Sequence, residues 1–222
     1  MSSSTTRKFN CPGCSQSSEV TIWESINVGL DPELKQKVLD GTLFSFECPV
    51  CGHKESLVYA TLYHDQERRF MTWWMPSVDG KKPHESLEEL NKNRIKLLNY
   101  RLRLVPSLNR LKEKILIFEN DLDDRVIELL KLVVWSSKLE VMGILKDQIY
   151  FNGANTAPGY PEIEFVAFTQ QWETKSFQVN GKEWYPRASE VLHQEFKVPE
   201  QENTEWRIVD HTYWNLVENG KG

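Results

Sequence analysis

Polar and apolar residues alternate over short runs through the first third of the chain. Residues 19–27 alternate around Val20 and Ile22 and predict a strand. A short helix follows, with Asp31 as N-cap, Pro32 at the first helical position, Glu33 in the first turn and Gly41 beyond its end. Leu34 and Val38, four apart, give it one narrow apolar stripe. Residues 43–47 alternate again, with Phe44 and Phe46 on one face. From 54 to 64 the alternation is clearest, setting Leu57, Tyr59, Thr61 and Tyr63 against Val58, Ala60 and Leu62, and 70–75 reads as the hairpin partner.

Residues 76–93, with Pro76, Gly80 and Pro83 followed by a run of charge, read as a loop or linker. Beyond it, 100–105 predicts a strand with one wet face, Arg101 and Arg103 against Leu102 and Leu104. Two helices follow. One starts at Pro106-Ser107 with Leu108, Leu111, Ile115 and Phe118 inward; the other starts near 121–124 with Val126, Leu129, Leu130 and Val133 inward. Strands are expected over 148–152 and 162–169. Segments 176–179 and 182–185 flank Asn180-Gly181, a hairpin signal. Short helices are expected over 187–196 and 210–217, the latter capped by Asp210. The class is therefore α+β, organised as 1–75, a linker over 76–93, and an α+β part over 94–222.

The cysteines change this picture. The chain's four are two copies of one motif, Cys11-Pro12-Gly13-Cys14 and Cys48-Pro49-Val50-Cys51. Such pairs aim four soft thiolates at one point, which is what tetrahedral Zn²⁺ takes in a structural site. The amides after each first cysteine are free to donate to sulfur. Gly13 and Gly52 suit a left-handed turn residue, and Pro12 and Pro49 stiffen each turn. The expected ligands are Cys11, Cys14, Cys48 and Cys51, and the first 65 residues should lose their fold without the ion. A redox dithiol would want a helix directly after the motif, and none is predicted there. Disulfides would want export, which nothing suggests. His53 is a spare candidate ligand, though four sulfurs already fill a tetrahedron. The strands around the motifs read as a zinc ribbon with a helical insertion.

Two Cys-Pro-x-Cys motifs separated by Asp31-Pro32-Glu33-Leu34-Lys35 and Leu39-Asp40-Gly41, then Tyr63-His64-Asp65, resemble the bacterial and archaeal CpXC family. The likeness covers the N-terminal half and extends through Leu122-Asp123-Asp124-Arg125-Val126-Ile127-Glu128. It implies zinc ligation by the same four cysteines and carries no activity with it.

At 222 residues, 40% apolar and 27% charged, the chain can bury a sizeable core. Its net charge of −5 argues against non-specific binding to nucleic acid or anionic membranes. The first ten residues lack the apolar stretch of a signal peptide, and 126–135 is too short and too charged to span a bilayer. A cytoplasmic location follows, where thiols stay reduced.

Other candidates have plainer readings. Asp121, Asp123, Asp124 and Glu128 suggest an acid/base or Mg²⁺ site, but acidic residues in a first turn complement the helix dipole, and Glu128 can pair with Arg125 or Lys131. Asp124→Ala is accordingly expected to leave folding largely intact. The five histidines are scattered, and no nucleophile elbow, phosphate loop or dinucleotide fingerprint is present. Trp73, Trp74, Trp172, Trp184, Trp206 and Trp214 offer a recognition surface or, more simply, core. Arg94, Lys96, Arg101, Arg103, Arg110 and Lys112 are spaced among leucines and read as a solvated face. The expected role is a protein-interaction module with structural Zn²⁺, no catalysis, and another protein as partner. A nucleic-acid-associated regulator and an enzyme with an acidic site in the C-terminal half are the alternatives.

Overall fold

The computed structural model of the protein describes residues 2–76, 83–92, 99–155, 162–200 and 205–213. Its elements are mixed α and β, as the hydrophobic pattern implies. They divide into two compact units: Met1–Lys112 with Thr204–Trp206, and Glu113–Asn203 with Arg207–Gly222.

In the first unit the alternation around Val20 becomes β2 (Ser17–Asn27), which pairs antiparallel with β1 (Ser3–Asn10) along the whole of the latter. No strand is signalled over 3–10, because β1 is almost wholly exposed and carries little apolar pattern. Helix α1 (Glu33–Asp40) buries Leu34 and Val38, as expected. Its start is one residue later than the sequence suggests. Pro32 is the cap, and Asp31 contributes its backbone carbonyl to the Leu34 amide at 3.1 Å. Gly41 ends the helix at φ 87°, a left-handed position that glycine adopts without a Cβ penalty.

The predicted strand at 43–47 is shortened. A 3₁₀ turn at Thr42–Phe44 leads into β3 (Ser45–Glu47), which pairs with β4 (Lys54–Ser56) as a separate two-stranded hairpin. The long alternation at 54–64 is split. β4 ends at Ser56, and β5 (Thr61–Asp65) begins after an extended stretch that carries the same in–out alternation, Leu57 buried and Val58 exposed. β5 forms the expected hairpin with β6 (Phe70–Trp74).

Helix α2 (Pro83–Lys92) occupies part of the stretch read as a loop, since Pro83 suits a helix start as well as a turn. β7 (Arg101–Val105) then pairs parallel with β6. With the short β11 (Trp206–Arg207), the sheet order is β1-β2-β5-β6-β7-β11. β7 lacks the expected wet face: Arg103 is fully buried and donates from Nη1 to the Leu102 carbonyl at 3.1 Å. Arg110 is also buried, so this basic stretch is not the solvated face predicted for it. Arg94, Lys96 and Trp214 lie outside the described residues. Trp74 and Trp206 are core, and Trp73 packs on Trp206 with ring centroids 5.7 Å apart.

The second unit centres on buried charge. Helix α3 (Leu108–Glu119) runs into it from Glu113 onward, and α4 (Asp124–Val134) is buried on nearly every side. Val126 and Leu130 face inward as expected, but Val133 is exposed. Asp123 caps α4 through the Arg125 amide. Lys114 Nζ lies 2.7 Å from Asp124 Oδ2, and Lys131 Nζ lies 2.7 Å from Glu128 Oε1 and 2.5 Å from Glu113 Oε1. Glu113 also accepts from the Phe151 amide at 2.7 Å, tying the network to β8 (Ile149–Asn155).

β8 pairs with β9 (Glu162–Phe168) and β9 with β10 (Thr174–Asn180). Asn180-Gly181 is not a hairpin turn. The Asn180 side chain accepts from the Glu183 amide at 3.3 Å and caps α5 (Gly181–Glu190), so an asparagine that suits both roles serves as a helix cap. Of the helix expected over 210–217, only its start is described, where Asp210 accepts from the Thr212 amide and hydroxyl.

Asp124 is fully buried against Lys114, so the sequence expectation of a near-neutral Asp124→Ala is reversed. Removing one partner strands the other charge, and we expect a loss of about 3–5 kcal/mol in urea unfolding. Asp124→Ala with Lys114→Met should recover most of it. A single variant as stable as wild type would contradict the prediction.

Candidate metal centre

Each Cys-Pro-x-Cys motif is the tip of a hairpin. The first joins β1 to β2, whose last paired residues are Asn10 and Ser17; the second joins β3 to β4, whose last pair is Glu47 and Lys54. The two turns repeat the same hydrogen bonds. Ser15 N donates to the Cys11 carbonyl at 2.8 Å and Gly52 N to the Cys48 carbonyl at 2.9 Å. Cys11 N donates to the Gln16 carbonyl at 2.9 Å and Cys48 N to that of His53 at 2.8 Å. Burial repeats too, with Cys11 and Cys48 covered and Cys14 and Cys51 exposed.

The left-handed residue of each turn directly follows the second cysteine: Gly52 at φ 68° and Ser15 at φ 58°. Gly52 thus plays the part expected of it, while Gly13 does not. Gly13 is small for another reason. A Cβ there would lie 3.2 Å from His53 Cβ and 3.4 Å from Cys51 Sγ, so glycine lets the second hairpin tip approach. Serine at 15 gives no sequence sign of its conformation; only its alignment with Gly52 does.

The four Sγ atoms all lie within 4.8 Å of one another, with Cys11–Cys51 at 3.6 Å and Cys14–Cys48 at 3.7 Å. A tetrahedral ion with metal–sulfur bonds of about 2.3 Å requires sulfurs roughly 3.8 Å apart. The donor set and its spacing therefore fit a tetrathiolate metal, and these four cysteines can hold one. His53 is not among the ligand atoms so gathered; its Nε2 meets Glu55 Oε2 at 3.2 Å.

The family model of the CpXC protein matches residues 9–131, more than half of the chain. The chain belongs to the CpXC family. The match begins two residues before Cys11 and runs through Leu122–Glu128, as the sequence resemblance suggested, to Lys131. Comparison with curated proteins and with solved structures found no match.

The CpXC cysteines differ in their affinity for protons. Cys48 is pulled down to about 6, first by the Cys51 amide and then by that of Val50, both aimed at its sulfur. Cys51 is pushed up to about 12: the His53 amide draws it down, but the Cys14 sulfur beside it, burial and the other two sulfurs outweigh that donor. Cys14 is also raised, its Gln16 amide being outweighed by burial and by Cys48 and Cys11. Four sulfurs this close cannot all be thiolates without a cation among them. Gly13 N, 3.3 Å from Cys11 Sγ, adds another backbone donor.

Behind the sulfurs lies a small apolar core of Val20, Phe46 and Leu57 with Cys11 and Cys48, and Phe9, Ile22 and Tyr59 pack against it. Phe9 and Phe46 meet edge to face, centroids 4.8 Å apart, so each hairpin contributes a ring to the contact.

The carboxylates considered as an acidic site are spread over different tasks. Asp121 is exposed, Asp123 caps α4 and pairs with Arg125 at 2.6 Å, and Asp124 and Glu128 are buried against lysines. The cavity at Glu128, bounded by Lys131, Ile149 and His211, is about 10 Å³, room for roughly one water.

Metal capture at pH 7 should release the protons held by Cys14 and Cys51, because thiolate is the ligating form. Affinity should then fall as pH falls, most steeply below about 6, where Cys48 also protonates. Titration calorimetry in buffers of different ionisation enthalpy measures this; a buffer-independent heat would contradict it. Ser15→Gly removes a left-handed penalty of roughly 1 kcal/mol and should raise the melting temperature of the metal-loaded protein. A lower melting temperature would show that the serine makes a contact worth more than the strain.

Proposed function

We propose that the protein is a cytoplasmic zinc-binding interaction module. Its N-terminal unit is zinc-ribbon-like, and Cys11, Cys14, Cys48 and Cys51 hold a structural Zn²⁺. The observation that carries this reading is the all-sulfur set, brought within 4.8 Å by two hairpin tips of identical hydrogen bonding. Four sulfurs leave no coordination position for a substrate, which favours a structural over a catalytic ion. Zinc on small thiolate modules binds with about 10–16 kcal/mol, as much as a domain's whole stability. The ion's task is then to fix the relative position of the two hairpins and the surface between them.

A protein partner is favoured over nucleic acid by two features. The chain carries −5 overall, and two of the six cations read as a solvated face, Arg103 and Arg110, are buried. Exposed Val50 and Val58 flank the site and suit a protein surface.

Affinity purification of the full, zinc-loaded chain from its native host tests this. A discrete protein should co-purify in stoichiometric amount and be lost with Cys48→Ser, which should also unfold the N-terminal unit. Recovery of nucleic acid alone, or an unchanged partner profile with a fully unfolded N-terminal unit, would contradict the proposal.

A further inference from the structure

Beside the metal centre an open trench of about 630 Å³ runs between the two hairpins. One wall is Arg7, Lys8 and Phe9 of β1; the other is the backbone run from Glu55 to Tyr59. Arg7, Lys8 and Phe9 are consecutive in β1, so an edge of that strand borders the trench, since successive side chains of a strand point to opposite faces. The floor is apolar, with Ile22 and Leu57, and Val58 stands 64% exposed on the rim.

The outer edge of β1 is unpaired among the described residues, whereas on the facing wall the Leu57 amide donates to the Phe44 carbonyl at 2.7 Å. β1 is the end strand of its sheet, and β4 pairs with β3 on one side alone. An eight-residue edge strand is long for an unprotected one, and a row of free amides and carbonyls is a template for another strand. Charge narrows the choice of occupant. Arg7 and Lys8 have no ion-pair partner among the described residues, whereas Glu55 on the facing wall is occupied by His53. The rim therefore presents two free cations on a chain that is acidic overall.

We propose that this trench binds an extended segment of a partner protein, which adds a strand along β1, seats alternate apolar side chains on Ile22, Leu57 and Val58, and brings an acidic residue to Arg7 and Lys8. This is strand addition, in which main-chain bonds supply affinity and alternate pockets supply specificity. A second copy of the chain is the poorer occupant. A second β1 brings its own Arg7 and Lys8 and no Asp or Glu, so it has no carboxylate to set against the two cations. The assignment rests on the interaction-module reading and names the kind of partner that module takes.

The test uses the full-length, zinc-loaded protein as bait for a phage library of random peptides long enough to span β1. Selection should enrich sequences that alternate apolar residues and carry Asp or Glu. Binding of the selected peptide should fall at least about tenfold with Val58→Asp, and as far with Arg7→Glu plus Lys8→Glu, which should also shift a fresh selection toward Lys and Arg. Cobalt-substituted variants with the wild-type thiolate absorption establish that the hairpins stay intact. No consensus, a consensus without acidic residues, or binding indifferent to both variants would overturn the assignment. So would self-association that either variant abolishes. A host protein cross-linked to the zinc-loaded chain away from the trench would overturn this assignment while leaving the interaction-module reading in place.

Discussion

Four sulfurs on two separate hairpins share a space less than 5 Å across, and the order of the N-terminal unit follows from that requirement. β2 and β5 are parallel neighbours, so the chain must cross over between them. That crossover carries α1 and the whole β3–β4 hairpin. A hairpin of two three-residue strands has little to hold it in place by itself. Its cysteines, set against those at the β1–β2 tip, supply the missing fixture once a metal joins them. The Phe9–Phe46 contact and the small core around Val20 and Leu57 are the apolar half of the same junction.

The centre's electrostatics follow from its crowding. Backbone amides favour one thiolate, Cys48, and the neighbouring sulfurs then keep protons on Cys14 and Cys51. A divalent ion resolves this conflict by replacing protons with a shared positive charge. On the proposed reading, the same ion sets the width of the trench beside it, since one wall belongs to each hairpin. On that reading, structure and surface are coupled through the ion.

Much of this was legible in the sequence. The duplicated motif marked the four cysteines that the structure brings together, because its chemistry is local and its spacing rigid. The in–out alternation of 57–63 and the stripe of Leu34 and Val38 were also readable, since period decides which face is buried. What escaped notice depends on neighbours distant in sequence. β1 shows no apolar alternation because it is a solvated edge, and the wet face assigned to 100–105 failed at Arg103, which the fold buries completely. Asn180-Gly181 was misread because asparagine suits a turn and a helix cap equally, and the residues after it decide between them. The charges of α4 looked like a solvated first turn; Lys114, on another helix, is what allows Asp124 to be buried.

X-ray absorption at the zinc edge, combined with elemental analysis of the purified chain, reads the number and kind of ligands at the four cysteines. One zinc per chain is expected, with four sulfur neighbours at about 2.3 Å and no nitrogen or oxygen ligand. A metal-free folded protein, or a first shell containing nitrogen or oxygen, would contradict it.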